Sequence, residues 1–491
     1  MAVNLARSGV PGFDYLLGGG FPADRIYLIH GPTGSGKTTL AMQFAMEGAR
    51  AGETTLYVTL AESPEEIEQI TASHGWDMEG VDIFAPQSAT DEGDVPRDQY
   101  TLFHPGEVEL TDLTNEIIAK VKNAKPARVV IDSVAEIRLL ARDPLILIRQ
   151  MRLLRAALTD VHCTVLLLNN RLTGGTSGSL ETFAHGIIEV EYSNSQYGAT
   201  RRCISVVKLR GANPVSGRHD MSLSTGGLTI FPRLVPTGLE ADEDDGELVG
   251  SGSEALDRLC GGGLERGSSV MVIGPAGTGK STVASQYALA AAERDERTAM
   301  FVFDETERSC RTRWRGMNMP LDGHLDKGML EINTVDPTVM SAGEFCHMVR
   351  ESVERRGARL VIIDSLSGYM QVMPETRFMT VHLFELLKYL NDRGVLSILV
   401  VTQHGILGSA LESPIDVSYL IDTILLLRFF ESNGEVHKAI SVVKKRLGMH
   451  EKSIRECRIG PNGLSVGEPL RNFQGVLSGI PSFVGERREL L

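Results

Sequence analysis

Two copies of one pattern lie in this chain at a fixed offset, and no other feature restricts its fold so strongly. A shift of 243 residues sets Gly9 on Gly252, Gly18–Gly20 on Gly261–Gly263 and Gly31 on Gly274 without a gap. A tandem duplication implies two similar bodies, and 491 residues give each copy enough chain to bury a core of its own. Between the copies runs TGLEADEDDGELVG, residues 237–250, whose six acidic residues and three glycines resist burial. The expected organisation is a first domain over 1–236, an acidic linker over 237–250, a second domain over 251–471 and a C-terminal tail over 472–491.

Each copy repeats the same rhythm of elements. RIYLIHG (25–31) and SSVMVIG (268–274) read as buried strands, and each runs through a glycine-rich turn into a helical stretch, AMQFAMEGAR or ASQYALAAAE. ARVVIDS (127–133) and ARLVIIDS (358–365), then TVLLLNN (164–170) and SILVVTQ (397–403), are near-continuous apolar runs. Such runs suit strands covered on both faces of a parallel sheet. Strands alternating with helical segments make the class α/β, with two mostly parallel twisted sheets flanked by helices.

The turn after each first strand carries chemistry. GPTGSGKT (31–38) and GPAGTGKS (274–281) both fit G-x-x-x-x-G-K-[ST]. Glycines let the backbone wrap closely enough for its N–H groups to face phosphate oxygens, and the following helix adds its positive end. The cradle falls to Gly31, Thr33, Gly34, Ser35, Gly36, Lys37, Thr38 and Thr39 in the first copy. In the second it falls to Gly274, Ala276, Gly277, Thr278, Gly279, Lys280, Ser281 and Thr282. The ligand expected at each is a nucleoside triphosphate with Mg²⁺, the lysines reaching the outer phosphates and the Thr38 and Ser281 hydroxyls facing the metal.

Asp132 and Asp364 each end an apolar strand, where a carboxylate can orient the metal's water shell. Glu62 and Glu305 obey the same offset and follow LYVTL and AMFVF; a carboxylate there can polarise a nucleophile, or can belong to a helix cap. Glu305 joins Ser281 and Asp364 as a candidate metal contact. The second copy has Asp304 where the first has Ala61, so Asp304 belongs to the second site alone. Late in each domain VVKLRG and VVKKRL supply Lys208 with Arg210 and Lys444 with Arg446. Strand alternation puts both cations of a K-x-R couplet on one face. That face either reaches a phosphate cluster or guards a solvated sheet edge.

Composition excludes several classes. A net charge of −14, with no run interleaving basic and aromatic residues, argues against a nucleic-acid duty. No run nears the roughly 18 apolar residues of a membrane span. The amino terminus lacks a secretory pattern, and six scattered cysteines without a CxxC pair suit a reducing compartment, so a soluble cytoplasmic protein is expected.

With these motifs assembled, the chain resembles the KaiC family, the tandem RecA-like ATPases of the cyanobacterial clock and their bacterial relatives. The resemblance covers nearly the whole chain, including KLRG and KKR, LIDTILLLRFFESNGEVHKAISVVKKR, SIRECRIGPNGL and LRNFQGVLSGIP. It implies a homohexameric ring with nucleotide between neighbours, and Lys208, Arg210, Lys444 and Arg446 projecting into the next subunit's site. It implies KaiB-like or other signalling proteins as partners, and a regulatory role for the tail 472–491. It also implies divided labour. The first ring hydrolyses ATP through Glu62; the second, through Glu305 helped by Asp304, acts as a serine/threonine autokinase and later removes the phosphate. In DVSYLIDTILLL (416–427), LIDT fixes the register: Ser418 falls on the family's acceptor serine and Tyr419 on its threonine, where the phenol carries its hydroxyl several ångströms further out. Ser413 falls where the family has another threonine. Two rival readings use the same core: a RecA-like DNA motor, which the acidity disfavours, and a scaffold that binds ATP without phosphotransfer, which Tyr419 favours.

Overall fold

The structure, a computed structural model, describes residues 4–87, 105–141, 143–170, 181–193, 199–234, 246–372, 376–403, 417–432, 434–461, 463–476 and 482–483. Ser413, most of the acidic linker and most of the tail lie outside the described residues. The chain divides into two compact units, Met1–Arg233 and Leu234–Leu491.

In the first unit the described residues form a nine-stranded sheet ordered Val81–Phe84, Thr55–Thr59, Arg128–Asp132, Thr164–Asn170, Ile26–Gly31, Gly186–Ser193, Arg201–Leu209, Arg218–Ser224 and Gly227–Phe231. The first six of these strands are parallel and the last three extend the sheet antiparallel. The second unit repeats the plan. Its order is Leu330–Thr334, Arg297–Val302, Ala358–Asp364, Leu396–Thr402, Ser269–Gly274, Thr423–Ser432, Glu435–Lys445, Arg455–Gly460 and Gly463–Pro469. The fold is thus two α/β domains of RecA-like plan, each with a mixed sheet flanked by helices.

Alternation along the central strand explains why its sequence is apolar throughout. Ile26 and Leu28 pack on one face with Val129, Ile131 and Leu154, while Tyr27 and Ile29 pack on the other with Leu40, Phe44 and Val130. In the second unit Val270 and Val272 meet Val283 and Tyr287, and Met271 and Ile273 meet Phe345 and Leu383. Both faces are covered by helices, so neither set of side chains meets water.

Parallel strands bring their carboxyl ends to one edge of the sheet, where ligands of open α/β sheets bind. Gly31, Thr59 and Asp132 end parallel strands there, the Gly31 strand separated from that of Asp132 by Thr164–Asn170, and Gly274, Val302 and Asp364 do the same with Leu396–Thr402 between. Ser418 and Tyr419 lie in a single 3₁₀ turn, Ser418–Leu420, and the extended run begins at Thr423. The cause is Asp422, whose carboxylate accepts from Ser269 N at 2.9 Å and Ser269 Oγ at 2.8 Å, fixing the entry point so that the preceding residues turn aside.

Candidate nucleotide sites

Each phosphate loop is shaped by close approach. A Cβ on Gly31 would sit 2.4 Å from the Val190 carbonyl oxygen, and one on Gly274 would sit 2.4 Å from that of Leu427. Gly36 and Gly279, at φ 103° and 110°, take the left-handed conformation that opens helices Lys37–Arg50 and Lys280–Glu293. The lysines fold back over their own loops. Lys37 Nζ donates to the carbonyls of Gly31 and Pro32, both at 2.9 Å, and Lys280 Nζ to that of Pro275 at 2.8 Å. Both are buried, and burial disfavours the ammonium: Lys37 is lowered to about 8 despite the opposing pull of Asp132, and Lys280 is lowered while Asp364 resists. The Ser35 hydroxyl is buried with no hydrogen-bond partner among the described residues. Desolvated cations, an unpartnered hydroxyl and a helix N-terminus fit a polyphosphate.

The aspartates lie beside these loops. Thr38 Oγ1 donates to Asp132 Oδ2 at 2.7 Å, and the buried Tyr57 hydroxyl donates to the same oxygen at 2.9 Å. Burial raises the Asp132 carboxyl, offset by the Thr38 and Tyr57 hydrogen bonds and by Lys37. Burial likewise raises Asp364, offset by the Ser281 hydroxyl and Arg313, with Glu305 adding to the rise. Both Asp–Ser peptides, Asp132–Ser133 and Asp364–Ser365, are cis. Each hydroxyl and carboxylate pair can hold Mg²⁺ with the phosphates completing its shell; no group of three or more His, Cys, Asp or Glu suited to a metal occurs among the described residues.

The two glutamates are held differently. Glu62 directly precedes helix Pro64–Ser73, whose cap is Ser63 in a reciprocal box with Glu66, so the capping work belongs to its neighbour. Thr59 Oγ1 donates to the Glu62 carbonyl at 2.6 Å and accepts from its N–H at 3.2 Å, which fixes the backbone. The Glu62 carboxylate has no hydrogen bond or ion pair among the described residues. Burial, then Asp132 and Glu66, raise its proton affinity, the direction that suits a general base. Glu305 similarly precedes Thr306, the cap of helix Glu307–Gly316. Its two oxygens both accept from Arg313 Nη1, and Oε2 also accepts from Cys310 Sγ at 3.3 Å. Glu305 is therefore paired with a guanidinium, not turned to a metal position. Asp304 accepts from the Ser365 hydroxyl, tying the Glu305 turn to the strand that ends at Asp364.

The couplets depart from the expectation that they reach outward. Lys208 Nζ donates to the carbonyls of Glu181 at 3.2 Å and Ala184 at 2.9 Å, and Lys444 Nζ to those of Ser418 and Ile421, both at 2.6 Å. Arg446 meets the Asp422 carboxylate at 3.4 Å and the Tyr419 carbonyl. The antiparallel pairing sets Lys208 opposite Ile187 and Lys444 opposite Ile424, so carbonyls of the preceding turn lie within reach of each ammonium. Arg210 is exposed and has no side-chain partner among the described residues. Ser418 and Tyr419 are exposed beside the clasped carbonyls, Tyr419 at 54%.

Sequence reasoning passed over Tyr57, Cys310 and Arg313. Their signal was the offset itself: Tyr57 falls on Met300, Cys310 on Ile67 and Arg313 on Ile70, so polar groups occur where the other copy is apolar.

A family model described as the KaiC ATPase matches residues 6–235 and again 249–471. The chain is 28% identical over 484 residues to the circadian clock protein KaiC3 of Synechocystis sp., covering 98% of this chain and 95% of that protein. It is 27% identical over 491 residues to the circadian clock oscillator protein KaiC of Acaryochloris marina, covering 98% and 92%. To the protein of that name in Picosynechococcus sp. it is 27% identical over 503 residues, covering 99% and 95%.

A pH dependence follows from Lys37. Phosphate binding favours the charged ammonium, which in the free protein titrates near about 8. Affinity at the first site is thus fully present below that pH and falls above it, by about tenfold per pH unit at the limit. Calorimetric binding of ADP to the Lys280→Ala variant between about pH 7 and 9.5 tests this; a constant Kd refutes it.

Proposed function

This chain belongs to the KaiC family of ATPases, and from that premise we propose that it is an ATP-driven timer or signalling protein with two unequal nucleotide sites. The first hydrolyses ATP, and the second phosphorylates Ser418 of a neighbouring subunit. The observation that carries the reading is the contrast between the glutamates: two phosphate loops of one geometry are served by Glu62, whose carboxylate is unpaired, and by Glu305, which sits among Asp304, Arg313 and Cys310. An unpaired half-buried carboxylate can take a proton from water. A carboxylate held in a charged cluster suits a placed protein hydroxyl.

When Mg²⁺ is bound it neutralises charge on the phosphates, and Thr38 with Asp132, or Ser281 with Asp364, would hold it. Lys37 and Lys280, released from their loop carbonyls, draw the outer phosphates into line. The hydroxyl of Ser418 is short and the residue exposed, which suits in-line transfer; Tyr419 carries its oxygen too far for the same register. The subunits form a six-membered ring in which Arg210, exposed and unpartnered among the described residues, completes a neighbour's first site. Partner proteins of the KaiB type read the state of the ring. The setting is the cytoplasm, in keeping with six free cysteines. One observation favours the scaffold reading: the Glu305 and Arg313 pair occupies the base, as a site that binds without transferring would have it.

Glu62→Gln is expected to lower total ATP turnover by about 10²–10⁴-fold, while Glu305→Gln mainly abolishes self-phosphorylation. Steady-state phosphate release and radiolabel incorporation read the two effects, and their reversal sinks the assignment.

Phosphopeptide mapping after incubation with ATP and Mg²⁺ is expected to find phosphate on Ser418. Phosphate on Tyr419 or Ser413 without Ser418 overturns the register, and none at all selects the scaffold.

Because nucleotide is part of the subunit interface in this reading, ligand binding favours assembly. Light scattering should show nucleotide-dependent hexamers that Lys37→Ala with Lys280→Ala removes. Six-subunit particles of the double variant in nucleotide-free buffer contradict the coupling.

A further inference from the structure

Arg313 is the part of the second site that duplication does not explain. The first copy has Ile70 at its position and Ile67 and Ala61 at those of Cys310 and Asp304, so three polar groups enter one site together. Helix Glu307–Gly316 opens at Thr306 and carries Arg313 far enough for its guanidinium to meet the carboxylate just before the cap. Only Nη1 is used, on both oxygens of Glu305. Nε and Nη2 are buried and have no hydrogen-bond partner among the described residues. A guanidinium has five N–H donors, and donors left unpaired away from water are unfavourable, the more so on a cation. Its charge also acts on Asp364, which the Ser281 hydroxyl of the phosphate loop meets, so Arg313 belongs to the electrostatic surroundings of the second site.

Two demands therefore compete for one cation. Paired as here, Arg313 covers the lone pairs that Glu305 needs to accept a proton. A γ-phosphate offers oxygens that Nε–H and Nη2–H can bind in the forked manner guanidinium favours. We propose that Arg313 is a positioning residue that latches Glu305, and that the γ-phosphate of bound ATP competes for the guanidinium and frees the carboxylate for only part of the ATP-bound state. The latch rests on the reading of Glu305 as the base. In the step it governs, the acceptor oxygen bonds to the γ-phosphorus as the bond to the ADP oxygen breaks. The electron pair leaves on ADP, and the hydroxyl proton passes to Glu305. A base paired for much of the ATP-bound state explains how a second site with a complete phosphate loop can restrain idle hydrolysis, a constraint Ile70 does not place on Glu62.

The test uses the full chain carrying Glu62→Gln, which leaves second-site chemistry to be read alone. Arg313→Ile is expected to raise second-site hydrolysis severalfold in kcat, Arg313→Lys to stay near the parent, and the gain to vanish when Glu305→Gln is added. A fall in kcat with Arg313→Ile, or no change, overturns the latch. A binding measurement stands apart from the base: Arg313→Ile should lose about tenfold of the preference for a non-hydrolysable triphosphate analogue over ADP, the worth of one charge-assisted contact. An unchanged preference overturns the release step. If Glu305→Gln alone leaves second-site phosphotransfer intact, the base reading fails instead, and the binding arm still judges Arg313.

Discussion

Everything in each domain is arranged around a central strand that has no face left for water and ends in a glycine pressed against its neighbour. The Gly31 and Gly274 approaches leave no room for a side chain, because a carbonyl of the adjoining strand stands 2.4 Å from where a Cβ would be. That contact fixes where the chain leaves the sheet. The loop that follows can then turn its N–H groups inward and begin a helix whose first residue is Lys37 or Lys280. The strands on one side of the central strand deliver Asp132 or Asp364, and the hairpin on the other delivers the couplets. Each phosphate loop is thus flanked on one side by an aspartate that meets its hydroxyl, while on the other side the couplet lysines hold the carbonyls of a turn.

What the sequence made legible is what backbone geometry enforces. A parallel strand covered on both faces carries a near-continuous apolar run, so Thr164–Asn170 could be read from the four apolar residues at its centre. A left-handed helix start must be glycine, so both phosphate loops were readable as motifs. Side-chain partnership has no such enforcement. Lysines 208 and 444 were placed on a strand face by alternation, but a long flexible ammonium takes the nearest carbonyls, and those belong to turns far away in sequence. The Ser418–Leu420 turn was unreadable because its cause, Asp422 bonding to Ser269, spans 153 residues. Tyr57 and Arg313 act across the sheet edge, and only a comparison of the copies exposes them.

The copies diverge in charge while the backbone stays alike. Around Asp132 the donors are neutral, Thr38 and Tyr57, and both converge on one oxygen. Around Asp364 a guanidinium enters, and Met300 stands where the phenol was. Neutral donors fix a carboxylate without opposing the approach of a charged ligand. A guanidinium responds to that ligand, because each new anion changes which partner it prefers. A duplicated site can in this way become conditional through a few substitutions on one helix and one turn, with the loop motif kept.

The same logic extends to the strand entry near Ser418. Lys444 and Arg446 hold the carbonyls of Ser418, Tyr419 and Ile421 and the carboxylate of Asp422, so two cations are already committed to the turn. A phosphoryl group on the Ser418 hydroxyl would bring roughly −1.5 to −2 charge next to them. Charge-assisted bonds to phosphate are stronger than those to carbonyls, so the cations would turn toward it and loosen their hold on the turn. Asp422, repelled by the new charge, also anchors Ser269 at the start of the phosphate-loop strand. A charge added at the turn and the strand leading to the phosphate loop would therefore share one carboxylate, Asp422.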